Sequence, residues 1–415
     1  MVKVSIILTS YNKPDLVGKS IQSILVQTHT DWELFIMDDH SNQETLSAIL
    51  PFLQDSRITY INSNVKDEDR HKVTRYAYLI NQAYEQLTGD YVCYLTDDTE
   101  YLPHRLEKML AYFQENPGKD VVYSRQKAEY YNHDGRHLYY MLLPAEDVLE
   151  RAANRVDHCS VMHTRRIAEK IRKKHGTYWD DDRAFWFNAD AVFWSRLNEF
   201  SSFYPISEVL DITRKTPHSY QQLSVNLPDR IPEGTIVKGI SPCKYIIEGE
   251  TRRPLSDAMY DQLYLENIIE IPDPVLFKYR EGTPVTWKAL HDGLLIKEDD
   301  FLYYLQNQKK RRVSQEALRY YWPRKRIIEL NHTLSMDIGD PVEYKISETS
   351  LLPDGVLFKH NGNYYLSEQN QLCFIQEDIA QNKFFYRMDL AVSLTDKEFT
   401  WFEQGNPFVW QLPFK

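Results

Sequence analysis

A chain of 415 residues, 42% hydrophobic and 26% charged, has a globular composition and is too long for one ordinary core, so two or three domains are expected. The net charge of −11, with no dense Lys/Arg run, excludes a large nucleic-acid footprint; an anionic diphosphate bound by such a chain needs local neutralisation, most simply by a divalent cation on carboxylates. Four scattered cysteines without a CxxC pair argue against zinc and disulfides, and no apolar stretch reaches the roughly 18–20 residues of a membrane span.

In chain order, residues 4–8 read as a buried strand ending in Thr9-Ser10-Tyr11-Asn12, and 14–26 as a helix with Pro14 in its first turn. Residues 33–37 form a second strand ending in Asp38-Asp39, followed by a helix over 43–52 and a strand over 58–61. A helix over 74–87, closed by Gly89, leads to a strand over 91–95 that runs into Asp97-Asp98. Strands separated by helices of this length predict an α/β domain with a mostly parallel sheet and flanking helices over 1–228. Ligands of such sheets lie beyond the carboxyl ends of the strands, where Thr9-Ser10, Asp38-Asp39 and Asp97-Asp98 would meet. The 29 tyrosines, paired at Tyr130/Tyr131, Tyr139/Tyr140 and Tyr320/Tyr321, read as amphipathic packing with the hydroxyl at water.

From residue 229 to 415 the texture changes. Glu233-Gly234, Asp292-Gly293 and Asp354-Gly355 each precede an apolar strand ending in Lys238, Lys297 or Lys359. Aromatic-aliphatic strands follow at Tyr245, Tyr303-Tyr304 and Tyr364-Tyr365, and each unit closes on Gly-x-Pro at Gly282, Gly339 and Gly405. Matches at both ends of the unit predict a β-rich α+β region of three repeats, at about 231–287, 288–344 and 352–410, including a short helix over 315–321. Units this small are marginal alone and are expected to fold together.

Chemistry should centre on the strand ends. Asp98 would ligate a metal while Asp97 faces ribose or sugar, Asp39 would accept from a pyrimidine imide, and Thr9 and Tyr11 would line base and ribose. Any one of these alone reads as a polar turn; together they favour a site. Asp190, after the apolar Phe185-Trp186-Phe187, is either a desolvated base or the N-cap of the following helix, with Asp157 as the runner-up base.

The segments VSIILTSYN, SIQSILVQT, ELFIMDDHS and YLTDD resemble glycosyltransferase family 2. ELFIMDDHSNQETL, TRYAYLINQA and RVDHCSVMH resemble its spore-coat polysaccharide members, and the likeness covers nearly all of 1–228. The resemblance implies a GT-A fold and an inverting transfer from a UDP- or dTDP-sugar with Mn or Mg to a saccharide or surface acceptor. It maps nucleotide contacts to Thr9, Tyr11, Asp39, Arg70 and Asp97, metal binding to Asp98 and the general base to Asp190, with Ala189 where the family usually has an acid. The C-terminal repeats lie outside that pattern and would contact a coat protein or a polymer. A cytoplasmic protein, in the mother cell or at the spore surface, is the corresponding location. The alternative class is a structural coat protein with a degenerate transferase domain, against which the four carboxylates Asp39, Asp97, Asp98 and Asp190 argue.

Overall fold

Strand β1 (Val4–Ser10) carries the first apolar run, with Ile6 and Leu8 facing one core and Ile7 the other. A strand buried on both faces reads as a continuous apolar run, which is why alternation is absent here. The computed structural model describes residues 2–132, 134–220, 223, 227–228, 230–263, 267–330 and 333–409. Its contacts divide the chain into two compact units, Met1–Gln222 and Leu223–Lys415.

In the first unit, β1 is followed by α1 (Pro14–Leu25), β2 (Trp32–Asp38), α2 (Gln43–Ile49), β3 (Ile58–Asn62), α3 (Arg75–Tyr84) and β4 (Tyr91–Thr96). Next come β5 (Thr99–Tyr101), α4 (Arg105–Glu115), β6 (Val121–Tyr131), β7 (His137–Leu143), β8 (Val161–Thr164), α5 (Arg165–His175), α6 (Ala189–Asn198) and β9 (Tyr204–Lys215). The sheet runs β3-β2-β1-β4-β8-β6-β9-β5, with β7 added beside β6. This is an α/β domain built on one sheet with helices between its strands.

Several expectations are corrected. The sheet is mixed rather than mostly parallel. Strands β1 to β4 pair in parallel, but β8 runs antiparallel to both β4 and β6, and β5 antiparallel to β9. These added strands are short and carry no helical crossover to announce them. Helix α2 stops at Ile49 and continues as a 3-10 turn, Leu50–Gln54, because Pro51 has no N–H to extend the α-helical ladder. Helix α3 ends at Tyr84, so Gly89 does not close it. A Cβ on Gly89 would stand 2.6 Å from the Ser5 amide nitrogen; glycine is needed there for close approach to β1.

The described residues of the second unit form three sheets. The first is ordered β13-β10-β11-β12-β14 from β10 (Ile236–Lys238), β11 (Lys244–Glu248), β12 (Thr251–Leu255), β13 (Ile269–Glu270) and β14 (Arg280–Glu281). The second is ordered β18-β15-β16-β17-β19 from β15 (Leu295–Glu298), β16 (Phe301–Gln306), β17 (Lys309–Val313), β18 (Ile327–Leu330) and β19 (Ile338–Val342). The third comprises β20 (Leu357–His360), β21 (Asn363–Glu368), β22 (Gln371–Ile375) and β23 (Val392–Ser393), in the order β22-β21-β20-β23. Each has an antiparallel three-strand meander with a parallel strand beside its first member. Gly234, Gly293 and Gly355 precede the meanders at φ of +78°, +89° and +72°, a turn conformation that excludes most side chains. The helix Gln315–Tyr321 starts where Ser314 accepts a hydrogen bond from the Ala317 amide.

Contacts between these sheets close a circuit. Glu248 accepts from the Asp292 amide at 3.1 Å, Tyr304 donates to the Asp354 carbonyl at 2.6 Å, and Glu368 accepts from the Glu233 amide at 2.9 Å. The third sheet therefore meets the first. A linear stack would leave both end sheets bare.

Candidate active site

Parallel register brings Ser10 opposite Asp38 and Thr9 opposite Thr96, so the carboxyl ends of β2, β1 and β4 lie side by side. The two aspartates ending β2 divide their tasks. Asp38 is fully buried and receives Ser41 N–H, Tyr60 O–H and the Asn62 amide on one oxygen at 2.9–3.1 Å, which ties the loops after β2 and β3 together. Asp39 takes Arg70 at 2.7 Å, Arg75 at 2.6 Å and the Ser63 hydroxyl at 3.0 Å. The guanidinium of Arg70 lies 4.0 Å over the Tyr11 ring, so Asp39, Arg70 and Tyr11 form one stacked wall. The carboxylate expected to face a base is thus already engaged by two arginines.

Beyond β4, Asp97 accepts from the Tyr11 amide at 2.8 Å, and Asp98 accepts from the Thr96 hydroxyl at 2.6 Å. Between them stands Lys13, whose ammonium is 2.7 Å from Asp98 and 3.3 Å from Asp97. Burial works to raise both carboxyls. Asp97 does rise, with Asp98 beside it adding to the effect, whereas Lys13 and Lys215 override burial at Asp98 and hold it well below the ordinary value. Burial would lower Lys13, but the two carboxylates reverse this and keep it charged. The pair offers only oxygen donors, converging on a cationic centre that Lys13 fills with its own charge. That donor set suits a hard divalent ion such as Mg or Mn.

The opposite wall comes from later in the chain. The N-cap of α6 is Asn188, and Asp190 is its second residue rather than the cap proposed for it. Asp190 accepts a local bond from the Ala191 amide at 2.9 Å. Helix α6 is fixed by Trp194, whose indole N–H donates to the Val156 carbonyl at 3.0 Å, adjoining Asp157. The Tyr76 hydroxyl accepts from the Ala189 amide at 2.7 Å. Burial raises the Asp190 carboxyl, with His158 pulling it back and Asp157 pushing it further. Asp157 shifts the other way. Burial is outweighed there by Lys215, His158 and hydrogen bonds from the Cys159 amide and the Gln126 side chain. Two neighbouring carboxyls pushed apart in this way are suited to different roles, the raised one as base.

One network joins these walls. Lys215, ending β9, lowers both Asp98 and Asp157, and Asp157 acts in turn on Asp190. Behind Asp157, the Gln126 amide bridges to Asp211 at 2.6 Å, and Arg105 donates to the Cys159 carbonyl at 2.6 Å. Asp211 is fully buried and its carboxyl is pushed up by burial to about 6. Asp157, His158 and Cys159 also bring ligand atoms within 4.8 Å of one another. Burial holds the Cys159 thiol protonated, however, which makes it a poor metal ligand. Lys13, Lys215, His158, Gln126, Arg105 and Asp211 were not singled out from the sequence.

Residues 5–172 match the family model described as glycosyl transferase family 2. Protein CgeD of Bacillus subtilis (strain 168) is 42% identical over 413 residues, covering 98% of this chain and 96% of that protein. The putative colanic acid biosynthesis glycosyl transferase WcaA of Escherichia coli (strain K12) is 33% identical over 113 residues, 27% of this chain and 38% of its own. Among solved structures, S. aureus TarS 1–349 in complex with UDP-GlcNAc covers 55% of this chain and 62% of its own, with a TM-score of 0.41 at 16% identity.

Proposed function

The chain belongs to glycosyl transferase family 2 and is a nucleotide-sugar-dependent glycosyltransferase, and we propose that it catalyses an inverting, metal-assisted transfer from a UDP- or dTDP-sugar to a saccharide or surface acceptor. The opposed shifts of Asp157 and Asp190, linked through Lys215 to the buried pair Asp97 and Asp98 that binds the Lys13 ammonium, carry this reading.

An inverting transfer is one displacement and needs one base. Asp190 takes the proton of the acceptor hydroxyl as that oxygen attacks C1 from the face opposite the diphosphate. Its burial makes the carboxylate more basic, and the charge on Asp157 strengthens it further. Asp157, the runner-up base, is held low and is the weaker proton acceptor. Arg70 and Tyr11 present a flat cationic wall to the nucleobase, with Asp39 fixing the guanidinium, while Thr9 and Asp97 adjoin the ribose. Mg or Mn on Asp98 would neutralise charge on the departing diphosphate. Lys13 holds a second positive charge at the same place.

The process proposed for this transfer is spore coat or crust polysaccharide formation, a reading that rests on the motif likeness at 33–46, 74–83 and 155–163. Residues 231–287, 288–344 and 352–410 are read as three repeats that hold the enzyme on a polymer or a coat-protein partner; residue 410 lies outside the described residues. The common strand order of the three sheets supports this reading. Truncation after Pro228 should preserve UDP and metal binding while abolishing polymer binding. For the catalytic assignment, Asp190→Asn should bind UDP with wild-type affinity by calorimetry yet fail to transfer. Normal turnover by that variant would hand the role of base to Asp157.

A further inference from the structure

Strand β7 does not fit the pattern of the unit it belongs to. Its sequence, His-Leu-Tyr-Tyr-Met-Leu-Leu, contains no Lys or Pro, and Leu138, Tyr139, Tyr140, Met141 and Leu142 are each 49–55% exposed. Exposure at alternate positions would mean one wet face. Exposure at five successive positions leaves both faces bare. Among the described residues β7 pairs only with β6, so its outer backbone edge is open as well.

Natural sheets protect such edges with lysine, proline, bulges or a covering element, since an open apolar edge templates pairing with another strand. Here the side chains are held ready. The Tyr139 ring stacks on Tyr130 at 4.6 Å, and the Lys127 ammonium lies 4.9 Å from the Tyr140 ring centroid. Ordering of this kind lowers the entropy lost on association. With a buried aromatic ring covering roughly 150–250 Å², five half-exposed side chains present about 500 Å², the upper end for a monomer's largest patch.

The strand is also complementary to itself. Tyr140 is the middle residue of His137–Leu143. An antiparallel copy paired about a two-fold axis at Tyr140 sets Leu138 against the partner's Leu142, Tyr139 against the partner's Met141 and Tyr140 against the partner's Tyr140. Apolar meets apolar at every one of these positions, as an isologous interface requires. A saccharide would find few hydrogen-bonding side chains here, and an open strand edge is bonded best by another strand. We propose that this protein forms a homodimer by antiparallel pairing of β7 with the β7 of a second copy, about a two-fold axis at Tyr140.

Sedimentation equilibrium on the full chain and two double variants tests this. Leu138→Lys with Leu142→Lys opposes lysine to lysine at both pairs, while Leu138→Lys with Leu142→Glu opposes lysine to glutamate. The wild type should be dimeric. The first variant should raise the dimer dissociation constant roughly tenfold or more, and the second should restore most of it despite equal polarity. Directly opposed residues lie about 4.5–5.5 Å apart at Cα, within disulfide range. Tyr140→Cys, with the exposed Cys243 changed to Ser, should therefore give a disulfide-linked dimer under mild oxidation. A wild type monomeric at its highest soluble concentration overturns the proposal, as does equal behaviour of the two double variants. Loss of transfer in a monomeric Leu138→Lys, Leu142→Lys variant would instead assign the strand to substrate contact.

Discussion

Each unit of this protein buries a group of carboxylates, and the two groups serve different ends. In the first unit, Asp97 and Asp98 face the Lys13 ammonium, and Asp190 accepts from the adjacent Ala191 amide. In the second, Glu233, Asp292 and Asp354 each precede a turn glycine and line one cavity of about 550 Å³. Asp292 accepts from the amides of Asn307 at 2.6 Å and Gln308 at 3.0 Å, and Asp354 from the Gln369 amide at 2.7 Å. Burial raises the carboxyls of Asp190, Asp292 and Asp354 alike. A raised carboxyl therefore marks burial, and its partners decide what it does. Backbone amides of a turn use the charge to fix a hairpin. A side-chain ammonium, as Lys13 between Asp97 and Asp98, balances the charge without fixing a hairpin.

The sharpest way to break this contrast is the same amide substitution in both units. Asp190→Asn should lower kcat about a thousandfold, the middle of the range for losing a general base, with the melting temperature unchanged. Asp354→Asn should leave kcat at wild type, because its amide oxygen still accepts from Gln369. Equal loss in both would erase the distinction. Next in size, Asp98→Ala should weaken metal-dependent UDP binding by roughly 10–100-fold and remove its sensitivity to EDTA. Unchanged calorimetric affinity with Mn and with EDTA would show that Lys13 alone supplies the counter-charge.

A smaller effect is expected from Asp292→Ala. Loss of its two turn bonds should destabilise the second unit by about 1–2 kcal/mol, after discounting for partial exposure, without altering UDP affinity. The smallest effect is in pH dependence, where the two units should diverge. Glu233 is raised from 4.5 to about 7 and Asp354 from 3.8 to about 6, with burial the leading cause and neighbouring carboxylates adding to it. The folded second unit therefore binds more protons than the unfolded chain in this window. Its stability is greatest near and below the ordinary carboxyl values and falls as pH rises to about 7. In the first unit, hydrogen bonds from Lys3, Ser5 and Thr88 outweigh burial and hold Glu33 down from 4.5 to about 2. That contribution is present above 4.5 and is lost as pH falls toward 2. Calorimetric melts between pH 4.5 and 7.5 should show the second unit's transition moving down by a few degrees on alkalinisation, and Glu233→Gln should flatten the trend. A transition that rises with pH would reverse the assignment.

Two arginines of the second unit show what sequence periodicity can miss. Arg253 on β12 and Arg311 on β17 each bind the residue ending the preceding strand, Glu248 and Gln306. The matching place on β22 holds Cys373, and Arg230, from before the first sheet, binds Glu368 instead at 2.5 Å. The two residues are 138 positions apart, so no local pattern could have linked them.

The strands β1, β2 and β4, the helix Gln315–Tyr321 and the strand-end placement of Asp39, Asp97 and Asp98 were legible because each is local. An apolar run that ends in polar residues follows from backbone geometry and burial, which act over a few residues. The antiparallel β5 and β8 were not legible, being too short for their own periodicity, nor was the start of α6 at Ala189. Lys13 read as an ordinary residue beside Pro14 until folding set it against Asp98, 85 positions away. Only the tertiary structure could decide that Asp157 falls and Asp190 rises, because charges in a low-dielectric interior respond to distance through space, which the order of residues along the chain does not encode.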